Sequence, residues 1–144
     1  MNPIIDDTMH TTNYFNTFIE VADDCTAAAV AEPPRKGTEP TAANIQYELL
    51  VNNPYEYTSD DVLFQVHAIK NKFDPDDLAI AREQFFSRGQ PCFRASPLPK
   101  RYGWGVHSNA DGRIAIYPVE SEEYARLAGD KTLCHLKAMR SRRG

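Results

Sequence analysis

Apolar and polar residues alternate in four short runs of the chain, and this alternation predicts four strands. The runs cover residues 14–21, 102–107, 113–117 and 132–139. A period of two places successive side chains on opposite faces of a sheet, and aromatic and β-branched residues, which favour strands, dominate the first three runs. The fourth run contains Ala, Met and Lys, which also suit a helix, so its pattern is the weakest of the four.

The second and third runs predict a hairpin whose register follows from burial. A loop of five residues, 108–112, places the apolar side chains of both strands on one face of the sheet. These side chains are Tyr102, Trp104, Val106, Ile114 and Ile116. A two-residue Asp-Gly turn would divide them between the two faces, so we expect the longer loop. Gly103 and Gly105 then lie on the opposite face, which is expected to be bare of side chains.

Apolar residues at a period of about 3.6 predict four helices, and good N-cap residues begin the last three of them. The expected starts are Thr41, Thr58, Asp74 and Ser121. Thr58 has Asp61 three residues later, in the reciprocal position of a capping box. Asp74 is followed by a proline at the first helical position, where the missing N–H costs nothing.

Strands near the start, in the second half and at the end of the chain, with helices between them, favour the α+β class. We expect an antiparallel sheet of about four strands with two or three helices packed on one face. Residues 1–12 lack periodicity and are expected to form a flexible N-terminal tail, whereas residues 13–144 are expected to form a single α+β domain. Residues 23–40 are expected to be an irregular connection. Residues 95–100 are expected to be a stiff extended loop, because each proline restricts the residue before it.

The composition is that of a globular protein, with 144 residues, 42% hydrophobic and 25% charged, which is enough for one domain with a core. A net charge of −4 disfavours binding to nucleic acid through overall charge. The 3 cysteines lack a CxxC pair, which argues against a disulfide framework and for a reducing compartment. Asp6 and Asp7 precede any apolar run, and no run reaches the ~18 residues of a membrane span. We therefore expect a cytoplasmic protein.

Cations surround the predicted hairpin and indicate a groove for an anion. Arginine pairs with carboxylates and phosphates through two parallel hydrogen bonds, and an aromatic ring beside it can stack on a ligand. The candidate ligand-binding residues are Arg94, Lys100, Arg101, Trp104 and His107. The opposing interpretation is that the cations pair with the acidic helix starts at 60–61 and 76–77, and that Trp104 belongs to the core. The leading hypothesis is a domain that binds an anionic small molecule or a protein partner through this groove.

A cysteine-dependent enzyme is the first alternative, with Cys92 as the nucleophile and His107 as its base. A reactive thiolate needs a base within hydrogen-bond reach or a cationic neighbourhood, and Arg94 lies two residues from Cys92 in the sequence. The opposing interpretation is that Cys92 is a buried hydrophobic residue. The histidines and cysteines show no short ligand spacing, so no metal site is expected, and no nucleotide or cofactor motif predicts a cofactor.

A weak binder of nucleic-acid phosphates is the second alternative. The tail sequence KAMRSRRG and the hairpin cations Lys100 and Arg101 can contact phosphates, and Tyr102 and Trp104 can stack on bases. The acidic total and the lack of a basic–aromatic signature disfavour nucleic acid as a partner. No membrane contact is expected, and the sequence leaves the oligomeric state open.

Several longer strings resemble a family of small uncharacterised proteins, a domain of unknown function. They are YFNTFIEVADDC, PYEYTSDDVLFQVHA, QPCFRASPLPKRYGWGVH, GRIAIYPVESEEY and KAMRSRR, which together span most of residues 13–143. The motif of the type RASPLxKRYGWGxH is the most specific of them. The resemblance implies a stand-alone single-domain protein. Because the family has no assigned activity, the resemblance transfers no catalytic residue, cofactor or partner.

Overall fold

The computed structural model describes residues 9–25 and 31–141, which form one α+β domain. The strands are β1 (Thr17–Glu20), β2 (Trp104–Ser108), β3 (Ile114–Pro118) and β4 (Cys134–Lys137). The α-helices are α1 (Ala42–Asn52), α2 (Ser59–Asn71), α3 (Leu78–Phe85), α4 (Pro97–Arg101) and α5 (Glu122–Ala128). The strands form one sheet in the order β3-β2-β1-β4, which confirms the predicted fold class. Within the two described ranges, no helix is long and apolar enough to cross a membrane.

The sheet is mixed, whereas the sequence predicted an antiparallel one. Strand β2 pairs antiparallel with both β1 and β3, but β4 lies parallel to β1 at the sheet edge. The chain leaves β3, passes through α5 and returns at the far side of β1, and a crossover of this kind lets neighbouring strands run in the same direction. Alternation along β4 determines which side chains face the core, but it carries no information about strand direction.

The hairpin places Trp104, Val106, Ile114 and Ile116 on one face as predicted, but the pairing is shifted by two residues, because a loop of residues 108–112 would have paired Val106 with Ile114. Val106 lies opposite Ile116 and Ser108 lies opposite Ile114, so the five-residue loop comprises residues 109–113, one position later than expected. The apolar face of this hairpin packs beneath α1 and α2, and its core contains Ile19, Leu50, Val62, Phe93, Leu98, Val106, Ile114 and Ile116. Burial therefore decides which residues share the core face, but two pairings that differ by two residues satisfy it equally, so burial alone does not select the register.

The opposite face of the sheet is covered by α5. The sequence predicted a surface bare of side chains around Gly105, and this prediction is wrong. Phe18, Tyr124 and Leu127 form a second apolar cluster there, with the Phe18 and Tyr124 rings edge to face at 4.9 Å between centroids. A Cβ atom on Gly105 would lie 2.6 Å from the Tyr124 ring and 2.7 Å from the Phe18 ring. The missing side chain of Gly105 therefore makes room for α5, not for a ligand.

The predicted N-caps Thr58 and Ser121 account for two of the helix starts, and Thr41, predicted as the first residue of its helix, caps a third. Thr41 and Thr58 each cap their helix in a reciprocal capping box, with Asn44 and Asp61 as the respective partners. Ser121 accepts a hydrogen bond from the backbone N–H three residues later and begins α5. The Asp74 side chain makes no capping hydrogen bond, and a 3-10 turn at Pro75–Asp77 leads into α3 instead.

Residues 97–101 form the short helix α4, so the prediction of an extended proline loop is wrong. Ser96 is extended, as expected before a proline, and its side chain accepts a hydrogen bond from the Leu98 N–H. Pro97 and Pro99 occupy the first and third helical positions, whose N–H groups have no partner within a helix in any case. Both prolines therefore fit the first turn, and the extended geometry is confined to the N-cap.

The described part of the predicted N-terminal tail is hydrogen-bonded to the start of α2. The Thr12 N–H and the Thr12 hydroxyl both donate to Asp60 Oδ1 at 2.7 Å, and the Thr11 hydroxyl donates to Asp60 Oδ2 at 2.7 Å. Residues 1–8 of that tail lie outside the described residues, as do residues 26–30 of the irregular connection and residues 142–144.

Replacement of Gly105 by alanine is expected to destabilise the protein, because the new methyl group would overlap the rings of Phe18 and Tyr124. Overpacking of this kind costs about 1–3 kcal/mol, which urea denaturation measures. Gly89→Ala is the matched control, since a Cβ there meets nothing closer than 3.9 Å. An equal loss of stability at both positions would contradict the close packing of α5 on β2.

Candidate functional site

A cavity of about 490 Å³ lies between α1, α2 and residues 90–97. Its apolar wall is formed by Ala42, Leu63, Val66, Phe85, Pro91, Ala95 and Pro97. Its polar lining residues are Gln46, His67, Lys70, Asn71, Gln90, Cys92 and Ser96. A cavity of this size, mostly apolar with a few polar groups, is typical of small-molecule sites.

The helical period brings the lining residues of α1 and α2 to the cavity. Leu63, Val66, His67 and Lys70 are spaced three and four residues apart, so they share one face of α2. The sequence predicted an apolar stripe on this helix but did not distinguish the part that packs in the core from the part that lines a cavity. The sequence did contain a signal for the cavity, namely the polar residues His67 and Lys70 beside that apolar stripe.

The wall contributed by residues 90–97 is held by side-chain hydrogen bonds. The Ser96 hydroxyl donates to Gln46 Oε1 at 2.6 Å in a buried position, which ties the start of α4 to α1. The Gln90 amide donates to the Phe85 carbonyl oxygen at 2.8 Å, which ties the other end of the segment to α3. The cavity walls are therefore fixed at both ends without a ligand.

An aromatic pair separates this cavity from a second one. The rings of His67 and Phe85 are stacked at 4.6 Å, and Phe73 lies 5.4 Å from His67, edge to face. The second cavity, of about 380 Å³, is also lined by His67, Phe85 and Gln90. His67 and Phe85 thus form a shared wall.

The cavity favours negative charge. Among the lining residues that the structure describes, Lys70 is the one side chain that is always charged at neutral pH, and none is an aspartate or glutamate. Lys70 is exposed, which places its ammonium group at the rim of the cavity and not inside it. An anionic group at the rim would gain from this charge, whereas a cationic ligand would meet repulsion.

Cys92 lines the cavity with a phenol beside it. The Tyr14 hydroxyl lies 3.3 Å from Cys92 Sγ. Burial, followed by the hydrogen bond to Cys92 and the nearby thiol charge, raises the pKa of Tyr14 to about 12, although the Arg94 guanidinium opposes this rise. Tyr14 is therefore protonated at neutral pH and can donate to the sulfur. Like Cys25 and Cys134, Cys92 is a free thiol.

The predicted cationic groove residues are dispersed. The Arg94 Nε donates to the Lys137 carbonyl oxygen at 2.7 Å, so Arg94 covers the free edge of β4. Lys100 and Arg101 occupy the last turn of α4, where positive charge suits the helix dipole, and Arg101 is exposed. Trp104 packs against Tyr47 with ring centroids 5.3 Å apart, and its indole N–H donates to a backbone carbonyl.

Trp104 and His107 face opposite sides of the sheet. Trp104 packs with the main core, on the same face as Val106. His107 lies opposite Phe18 in the strand register, on the face covered by α5. Successive side chains of a strand point to opposite faces of the sheet, so positions 104 and 107, three residues apart, face opposite sides. These two side chains therefore do not line one groove.

Cys92 and His107 are also on different sides of the sheet. Cys92 lies in the cavity on the α1–α2 side, next to Phe93 of the main core. The ring of His107 is hydrogen-bonded through Nδ1 to the Tyr55 hydroxyl at 2.7 Å. His67, not His107, is the histidine that shares a cavity with Cys92. Within residues 9–25 and 31–141, no three His, Cys, Asp or Glu side chains are grouped so that they could hold a metal ion.

The fold and the cavity define a small α+β domain with a preformed, mainly apolar site of ligand size. The chain belongs to a family of unknown function, DUF6157, which matches residues 9–144. No curated protein and no solved structure matches the chain significantly.

Tyr14 is expected to ionise near pH 12, which ultraviolet difference titration of the wild type against Tyr14→Phe measures. Because its pKa in the folded protein is raised above the ordinary value of 10.0, the stabilisation from neutral Tyr14 is complete below pH 10 and is lost as the pH rises towards 12. Cys92→Ala should move the ionisation part of the way back, since burial remains. A Tyr14 pKa of 10 in the wild type would contradict the contact with Cys92.

Proposed function

We propose that the protein binds a small anionic molecule with an apolar body, and that the site is the cavity between α1, α2 and residues 90–97. The observation that carries this proposal is the cavity itself, about 490 Å³ and mainly apolar, with Lys70 as its permanent charge. The sequence predicted an anionic ligand, and we keep that class of ligand. We place its binding site between the helices, however, and not at the hairpin.

The apolar body of the ligand would pack against Leu63, Val66 and Phe85. Burial of apolar area there contributes roughly 25 cal/mol per Å². Its anionic group would lie at the rim, near Lys70 and the Asn71 amide, where the charge keeps partial contact with water. A ligand held this way is a monoanion with an aliphatic or aromatic body, such as a monocarboxylic acid of modest size.

A cysteine-dependent reaction in the same cavity is the second candidate, and the position of Cys92 favours it. The thiol lines the cavity with the Tyr14 hydroxyl 3.3 Å away, and His67 lines the same cavity. A substrate bound by Lys70 would lie in the same cavity as the sulfur. In Cys92→Ser, binding of the anion would persist, whereas any turnover would be lost.

Two finer expectations from the sequence remain proposals. The string RASPLPKRYGWGVH supplies Ala95, Ser96 and Pro97 of the cavity wall, and we expect it to be characteristic of the family. The three free thiols fit a reducing, cytoplasmic location. Binding of nucleic-acid phosphates by Lys100, Arg101 and the C-terminal tail is the weakest of the proposals, because the chain has a net charge of −4.

Calorimetric titration of the full chain with octanoate and benzoate, against octanol and benzyl alcohol as neutral counterparts, tests the proposal. The carboxylates are expected to bind about tenfold more tightly than the alcohols, which corresponds to about 1.4 kcal/mol. Lys70→Gln should abolish this difference, because it removes the rim charge and leaves the apolar wall. Lys131→Gln, at an exposed position away from the cavity, is the matched control and should leave both affinities unchanged.

Ala95→Leu supplies a second, independent variant, because the larger side chain projects into the cavity. This variant should keep the circular dichroism and melting behaviour of a folded protein and lose affinity for all four compounds. Undiminished binding to Ala95→Leu, or an equal loss in Lys70→Gln and Lys131→Gln, would show that the anion binds elsewhere.

A further inference from the structure

The ring of His67 is held by three neighbours at the place where the two cavities meet. It stacks on the Phe85 ring at 4.6 Å between centroids, and the Phe73 ring meets it edge to face at 5.4 Å. The third neighbour is Asn71, one turn further along α2, whose amide nitrogen lies 3.3 Å from His67 Nδ1. The orientation of the imidazole is therefore fixed before any ligand binds.

The hydrogen bonds of Asn71 determine which imidazole nitrogen carries the proton. Asn71 Nδ2 donates to the His67 backbone carbonyl oxygen at 2.8 Å, and because that oxygen can only accept, the amide atom placed there is the nitrogen. The same nitrogen has a second hydrogen, which it donates to His67 Nδ1. In the neutral ring Nδ1 is therefore the acceptor, and the hydrogen-bond network assigns the proton to Nε2.

The Nε2–H group of His67 is free to bond a ligand. It has no hydrogen-bond partner among the described residues, and none of their side-chain nitrogens or oxygens is sealed in the interior without one. His67 is half-buried and lines both cavities. A donor held in such a partly dry position gains more from an acceptor oxygen than it would in open water.

Lys70 lies beside His67 on the same face of α2. Residues three apart on a helix are neighbours, about 5–6 Å between Cβ atoms, and both side chains line the first cavity. Glu39 and Lys70 both line a third cavity, of about 450 Å³, but the Glu39 carboxylate pairs with Lys72 at 3.7 Å. None of the described residues that line the two cavities at His67 is an aspartate or glutamate. One N–H donor and one positive charge are thus presented to the same cavity.

We propose that His67 recognises the polar group of the ligand, with its Nε2–H donating to one carboxylate oxygen while Lys70 attracts the charge of the same group. This role rests on the proposed function, and it narrows the ligands to those with an acceptor oxygen next to the apolar body, carboxylic acids above all. Asn71 is a positioning residue, because both hydrogens of its amide nitrogen are used within α2.

The same tautomer bears on the cysteine-dependent alternative. A base that takes the proton of a thiol needs a nitrogen with an available lone pair. His67 Nδ1 is occupied by Asn71, and Nε2 already carries a proton. His67 is therefore arranged to donate to a ligand and not to activate Cys92, although both side chains line the cavity.

Calorimetric titration of the full chain with acetophenone and ethylbenzene tests the hydrogen bond apart from the charge. Acetophenone has an acceptor oxygen and no charge, whereas ethylbenzene has neither. His67→Phe keeps an aromatic ring against Phe85 and removes the N–H. It should weaken binding of acetophenone about fivefold, as expected for a hydrogen bond of about 1 kcal/mol, and bind ethylbenzene no more weakly than the wild type does.

Two control variants accompany this titration. Lys70→Gln should leave the affinity for acetophenone unchanged, because this ligand carries no charge for the ammonium group to attract. His135→Phe removes an imidazole from strand β4, away from the cavity, and should change neither affinity. Weakening of acetophenone by His135→Phe as large as that by His67→Phe would overturn the role of His67.

Nuclear magnetic resonance of the two ring nitrogens of His67 tests the role of Asn71, and a change in stability alone would not alter this readout. At about pH 8, where imidazole side chains are ordinarily neutral, the wild type should show a protonated Nε2 and an unprotonated Nδ1. Asn71→Asp replaces the donor by an acceptor, so Nδ1 should become protonated. Asn52→Asp, at the exposed end of α1, should leave both nitrogens as in the wild type.

Failure of this role can be distinguished from failure of the proposed function. If Ala95→Leu abolishes binding of acetophenone but His67→Phe binds it as tightly as the wild type does, the cavity is the site and His67 does not recognise the ligand. A protonated Nδ1 in the neutral wild-type ring would likewise overturn the role of His67 alone. If neither compound binds the wild type, the cavity is not a ligand site and both proposals fail.

Discussion

Burial of Phe93 and Leu98 is the constraint on which the rest of the structure depends. Both side chains are within 1% of complete burial, between the sheet and the helices. The short segment around them also bonds to three separate elements. The Ala22 N–H donates to the Pro99 carbonyl and the Met139 N–H donates to the Arg94 carbonyl, while Ser96 bonds to Gln46 of α1. Packing of two apolar anchors thus joins the ends of β1 and β4 to α1, and it fixes the cavity wall at the same time.

The sheet divides the molecule into two chemical environments, and period-two alternation along β2 decides which residue faces which. Val106 enters the main core below the cavity, and the adjacent His107 projects to the face covered by α5. An apolar cavity with a rim cation can hold the body of a small molecule.

Features that depend on local physics could be predicted from the sequence, and those that depend on distant contacts could not. The apolar face of the hairpin followed from its alternating pattern, and the capping box at Thr58 followed from the acidic residue three positions later. The parallel pairing of β4 depends on the path of a crossover, which no local pattern encodes. The cavity brings together residues as far apart in sequence as Ala42 and Pro97. Trp104 and His107 were predicted to line one groove, but they lie on opposite faces of β2. The alternation of side chains along this strand, which predicted the apolar face of the hairpin, already separates these two positions.

Methyl-resolved NMR mapping of benzoate on the full chain is the measurement that tests the central claim, a ligand site in the helix-lined cavity, most directly. The account predicts that the methyl resonances of Leu63, Val66 and Ala95 shift together and saturably, while those of Leu127 on the buried face of α5 do not move. Shifts confined to exposed apolar side chains such as Ile80 and Met139, or an absence of saturation at the cavity methyls, would contradict it.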